Sequence, residues 1–179
     1  MNEINRREFL KLGGTAALMA SMLCTLGGCS GGSGGGSGGT VAAPSPAEEE
    51  MAQRILSAIN EARRDVGLDG TVQPVDEISR FAEKRSLERM NGKTASEVPA
   101  EFKINGKCYK YGGRSTWTKT GFSRGMLTKE WLVNRFRINF QSDLDAPGET
   151  TIREDLYVGI GVQEQDDRVW YDIIYVHQG

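Results

Sequence analysis

The sequence predicts an α+β fold in which a mainly antiparallel sheet is buried between helices. Apolar residues recur at helical spacing in two early stretches and one later stretch. Residues 156–179 read as a hairpin of alternating apolar residues. The second strand of that hairpin is apolar on both faces, which implies cover from both sides.

The elements follow in order. Ser45-Pro46-Ala47-Glu48 is a capping box with Pro at the first helical position, where no N–H is needed. Glu48, Glu49 and Glu50 stand where the helix dipole favours negative charge. Met51, Ile55, Ile59, Ala62 and Val66 repeat at helical spacing and Gly67 supplies a stop, so the first helix is expected over 46–66. A second is expected over 76–91, with Ile78, Phe81, Ala82, Leu87 and Met90 on its apolar side and Asn91-Gly92 at its end. The charges of both helices are expected to face solvent. Residues 93–106 read as polar loop, and Lys107 to Thr116 as a strand broken at Gly112-Gly113.

The third helix is expected over 126–140, with Met126, Leu127, Trp131, Leu132, Phe136 and Phe140 inward, and Asp143 to Asp155 as loop. Leu156, Val158, Ile160 and Val162 then alternate with Tyr157, Gly159 and Gly161. Gln165-Asp166-Asp167-Arg168 turns the chain, and the strand from Val169 to Val176 returns. One of its faces holds Val169, Tyr171, Ile173 and Tyr175, the other Trp170, Asp172, Ile174 and Val176.

Residues 1–28 have the composition of an export signal. A charged start (Arg6, Arg7, Lys11) precedes an apolar stretch from Leu12 to Leu26, and small residues lead to Cys29. That stretch is diluted by glycine, serine and threonine and falls short of the roughly 20 apolar residues that span a bilayer. Asn5-Arg6-Arg7-Glu8-Phe9-Leu10-Lys11 resembles the twin-arginine export motif, an address read by a receptor. The general secretory route is the alternative. Leu26-Gly27-Gly28-Cys29 resembles a bacterial lipobox, which implies cleavage before Cys29 and acylation of its thiol. Each buried CH₂ of such an anchor contributes roughly 0.8 kcal/mol. Residues 29–47 form a Gly/Ser/Pro-rich spacer, a flexible coil with a span of roughly 20–25 Å. The expected organisation is thus signal 1–28, spacer 29–47 and folded domain 48–179.

Removing Arg6, Arg7, Lys11, Glu3 and Glu8 with the signal leaves 19 basic against 22 acidic residues. They are interspersed, with none of the basic striping that nucleic-acid binding requires. Cys24 falls in the signal and Cys29 takes the lipid, so Cys108 is left without a partner inside the domain and is expected to be a small buried residue.

Ile55-Leu56-Ser57-Ala58-Ile59-Asn60-Glu61-Ala62-Arg63, followed by Gly67-Leu68, resembles the opening helix of the CAP superfamily, the cysteine-rich secretory, antigen 5 and pathogenesis-related group. Ile78 to Arg85 resembles that family's second helix. Val158-Gly159-Ile160-Gly161-Val162 resembles its late Gly-x-Gly strand, and Trp170 to Val176 its closing strand. The resemblance covers about 46–179 and implies a three-layer α-β-α sandwich.

Members with an intact cleft bring two histidines and two acids together there, sometimes around a divalent cation. Here His177 is the one histidine, and it stands outside either motif. Against the family's Gly-Glu-Asn, the chain offers Gly112-Gly113-Arg114. Against Ser-Pro-Gly-His, it offers Ala146-Pro147-Gly148-Glu149. On that alignment an imidazole becomes the Glu149 carboxylate, and an acid gives way to Gly113 beside Arg114. A guanidinium there repels a cation, so neither metal nor cofactor is expected, and Arg114 and Glu149 are the candidate cleft residues.

No Ser/His/acid set, His-x-x-x-His helix, Cys-x-x-Cys pair or Gly-rich loop ending in Lys-Ser occurs in the chain. The expected function is a non-catalytic binding module, anchored through Cys29 on the extracytoplasmic side of a membrane, with a small-molecule, lipid or protein ligand. The alternative is a secreted hydrolase using cleft carboxylates, for which Asp143/Asp145 and Glu154/Asp155 are the available acid pairs.

Overall fold

The computed structural model describes residues 43–68, 70–145 and 156–179. Arg6, Arg7, Cys29 and Glu149 lie outside the described residues. Thr40–Gly179 is one compact unit. Among the described residues no helix is long and apolar enough to cross a membrane.

Helix α1 spans Pro46–Asp65. Its capping box is fully formed: Ser45 N–H donates to Glu48 Oε2 at 2.7 Å, and Glu48 N–H to Ser45 Oγ at 3.3 Å. At the other end Leu68 N–H donates to the Arg63 carbonyl and Gly67 N–H to that of Arg64, a Schellman closure. It needs a left-handed residue, and Gly67 has φ +76°. Asn60 Oδ1 then accepts Val72 N–H at 2.8 Å and pins the returning chain to the helix. That chain enters β1 (Gln73–Pro74), which runs parallel to a later strand, and passes into α2 (Asp76–Met90).

β2 (Glu101–Ile104) and β3 (Lys107–Trp117) form a hairpin inside and beyond the expected loop 93–106. Its turn is Asn105-Gly106, with φ +50° and +77°, the two-residue geometry that fits strand twist. β4 (Phe122–Ser123) and a 3₁₀ turn (Arg124–Met126) lead to α3, which spans Lys129–Leu144 rather than 126–140. The helix starts late because Thr128 is its cap, its hydroxyl accepting Trp131 N–H at 3.2 Å. Leu127 is buried ahead of the helix, whereas Met126 is half exposed. β5 (Leu156–Gln165) and β6 (Arg168–Gln178) complete the chain, turning at Asp166-Asp167 with both φ values positive.

The sheet is mixed, in the order β1-β5-β6-β3-β2, with β4 pairing the start of β6. β6 is its centre. On one face Leu156, Val158, Ile160, Val162, Val169, Tyr171, Ile173 and Tyr175 join α1 and α3 in a buried cluster. On the other, Ile174, Val176 and Tyr109 meet Val75, Ile78 and Ala82. Both faces of β6 are therefore covered by helix.

Two glycines set how close α2 comes. A Cβ on Gly159 would lie 2.5 Å from the Ile78 backbone carbon, and one on Gly161 would lie 2.0 Å from Glu83 N. Helix and strand backbones touch here. Ser86 Oγ donates to the Gly161 carbonyl at 2.9 Å, and Ser79 Oγ accepts Ile160 N–H at 3.2 Å. These bonds satisfy polar groups that the close approach shuts off from water.

Candidate functional site

Gly112-Gly113 does break β3, as a bulge. Register passes from Tyr111↔Val176 to Ser115↔Ile174, so three residues of β3 stand against Tyr175 alone. Gly113 has φ +81°, open to glycine at no steric cost. The bulge turns Arg114 onto the α1/α3 face. Its guanidinium carbon lies 4.9 Å from the Phe140 ring centre and 5.2 Å from that of Tyr175, and it forms an ion pair with Asp143 in the last turn of α3.

Arg63 joins this group from α1. It is 1% exposed, with its guanidinium 5.8 Å from the same Phe140 ring. The Tyr175 hydroxyl is hydrogen-bonded to Thr116, and burial pushes its phenol up to about 12 against the opposing pull of Arg114. Two guanidiniums, two rings and a carboxylate thus converge beside the end of α3. Arg114, its side chain 22% exposed, lies within this group, while Glu149 lies outside the described residues.

A second polar group occupies the α2 face. Arg85 and Arg89, one helical turn apart, both donate through Nε to Asp172 Oδ2, at 2.9 and 3.3 Å. Asp172 is fully buried and its Oδ1 has no hydrogen-bond partner. Burial pushes its carboxyl up, and the two guanidiniums pull it back. Arg85 also donates to the Ser96 carbonyl. Glu88 accepts from the Ser96 N–H and hydroxyl; burial opposes its ionisation, yet these bonds hold its carboxyl below the ordinary range. Trp117 lies 3.9 Å from the Arg89 guanidinium carbon and is 44% exposed.

No family model, curated protein or solved structure matches the chain. Guanidinium stays protonated at any physiological pH, so it recognises oxyanions but does not shuttle protons.

Three expectations are corrected. Arg63 and Arg85 are buried and Arg89 nearly so, where solvated helix charges were expected, because each guanidinium has rings or a carboxylate to replace water. Cys108 is not in the core: it stands half-buried on β3, its thiol donating to Glu101 at 3.4 Å. That hydrogen bond, then burial, raises its pKa and quiets the thiol. Residues 101–104 are strand.

His177 lies near the end of β6, opposite Leu156 and Lys110 in register. Among the described residues no three His, Cys, Asp or Glu side chains converge as a cation site requires. A surface depression of about 260 Å³ between α1 and α3 is lined by Glu61, Lys129, Glu130, Val133, Asn134 and Arg137. Lys129 and Glu61 close part of it as an ion pair at 2.6 Å.

The α2-face group carried a signal that helical periodicity overlooks. Ile78, Ala82, Arg85 and Arg89 share one helix face by spacing, and Asp172 interrupts an otherwise apolar strand. A lone acid in a buried strand calls for a basic partner.

Proposed function

We propose that this chain is an exported lipoprotein whose folded part, a CAP-type α-β-α sandwich, is a non-catalytic binding module tethered at the extracytoplasmic face of a membrane through acylated Cys29. The order of charged start, apolar stretch and Leu-Gly-Gly-Cys supports the export and tether. The sandwich is supported by the work the resemblance residues do. Asn60 ties the chain after α1, Gly67-Leu68 closes that helix, and Gly159-x-Gly161 lets α2 lie against the sheet.

One observation carries the binding reading. Arg114 is held on two rings and paired with Asp143, a preorganised cation that attracts an anionic or polar group and gives or takes no proton.

The test has two arms. Cells grown with an alkyne-tagged fatty acid should label the chain at Cys29, and both Cys29→Ala and globomycin should leave uncut precursor. Finding Met1 intact on unlabelled cytosolic protein overturns the tether. Protein purified from its host should carry molecules or partners, identified by mass spectrometry, that are depleted from Arg114→Gln. Equal recovery from both overturns the assignment of Arg114.

A further inference from the structure

We propose that Arg89 and Trp117 form a binding site for an oxyanion carried on a flat apolar group, the shared chemistry of aryl carboxylates and aryl phosphates. This site is on the opposite sheet face from Arg114, and the inference stands whatever the fate of the tether.

The first ground is the state of the guanidinium. Arg89 has five N–H donors, and Nε uses one on Asp172. The four on Nη1 and Nη2 meet no acceptor among the described residues, yet they are not sealed in: the side chain is 14% exposed and these nitrogens are not among the buried unpartnered atoms. The planar fork that binds a carboxylate or phosphate in bidentate fashion is thus unengaged among the described residues.

The second ground is rigidity. Trp117 covers one face of the guanidinium at 3.9 Å, and the buried Asp172 holds its stem end. An arginine fixed in this way has already lost most of its rotamer freedom, so an incoming anion meets little ordering cost.

The third ground is charge. Lys84, Arg85 and Arg89 set three positive charges against the two carboxylates of Asp172 and Glu88. An added anion balances the excess. Trp117, 44% exposed at the end of β3 beyond the reach of β2, presents indole surface next to that fork. A ligand with its oxyanion on Arg89 brings a flat group against that indole.

Saturation-transfer NMR on the full-length protein in micelles tests this without needing a tryptophan reporter. The probes are phenylacetate and phenyl phosphate, with benzyl alcohol as the uncharged comparator. The expected result is binding in the millimolar range or tighter by at least one anion, at least about tenfold better than benzyl alcohol. Trp117→Leu and Arg89→Lys, the latter keeping a cation for Asp172, should each weaken it about fivefold or more, with melting curves verifying that both fold. Whichever anion binds more tightly identifies the carrier chemistry. Equal binding of all three probes, no anion binding, or parental affinity in both folded variants overturns the proposal. Cys29 labelling reads the tether separately.

Discussion

Replacing Gly161 with alanine tests the closest contact in the fold. The new methyl carbon would lie 2.0 Å from Glu83 N, 2.1 Å from the Ala82 carbonyl carbon and 2.4 Å from its oxygen. Ordinary carbon contacts are about 3.5–4.0 Å, so α2 must retreat by roughly 1.5 Å. These three nearest atoms are all backbone, so no side-chain rotation relieves the contact. Overpacking of this kind costs about 1–3 kcal/mol, and the Ser86–Gly161 hydrogen bond at 2.9 Å is lost with it, at about 1 kcal/mol. The expected total is about 2–4 kcal/mol, lowering Tm by roughly 8–16 °C. Urea denaturation followed by far-ultraviolet circular dichroism gives the difference. Gly113→Ala is the control: its φ is +81° with nothing within 4 Å of the added Cβ, so it carries only the left-handed backbone penalty of about 1–2 kcal/mol. If Gly161→Ala unfolds within about 1 kcal/mol of the parent, or costs less than the control, the backbone contact between α2 and β5 is wrong.

Asp172→Asn leaves Arg85 and Arg89 facing each other without their shared carboxylate, and should cost about 3 kcal/mol in urea midpoint analysis; a loss under about 1 kcal/mol would mean the pairing contributes little. Tyr175 titrates at about 12 when folded, against 10 when unfolded, so folding favours its protonated form. That contribution is complete below pH 10 and disappears as pH rises towards 12, amounting to about 2–3 kcal/mol. Between those pH values the parent should lose more stability than Tyr175→Phe, and parallel curves would count against a buried phenol. Glu101→Gln removes the carboxylate that holds the Cys108 thiol protonated. Alkylation of Cys108 at pH 8, quantified by peptide mass spectrometry, should become faster, and an unchanged rate refutes the contact.

Local signals written over a few residues were legible in the sequence. The capping box at Ser45, the stop at Gly67, the β3 break at Gly112-Gly113 and the late hairpin all rest on backbone rules that neighbours decide. The sheet's position between helices followed from β6 being apolar on both faces. β1 was invisible because a two-residue strand has no period to detect. β2 was hidden by its exposed Glu101 and Lys103, although Phe102 and Ile104 alternate ahead of the Asn-Gly turn. Arg114 came from the resemblance alone, set against the family's Gly-Glu-Asn, and its partner Asp143 required knowing where α3 ends. The Arg85–Asp172 pair joins residues 87 positions apart, and nothing local distinguishes an arginine turned inward from one in water.

The position of β6 has a consequence for biogenesis. The strand that every other layer leans on occupies Arg168–Gln178, whereas the helix it must cover begins at Pro46. A growing chain can form α1 and α2 early, but their apolar sides have no lasting partner until residue 178 has cleared the ribosomal exit. Burial of those apolar sides therefore waits on the closing hairpin, so the sandwich is expected to assemble late in synthesis.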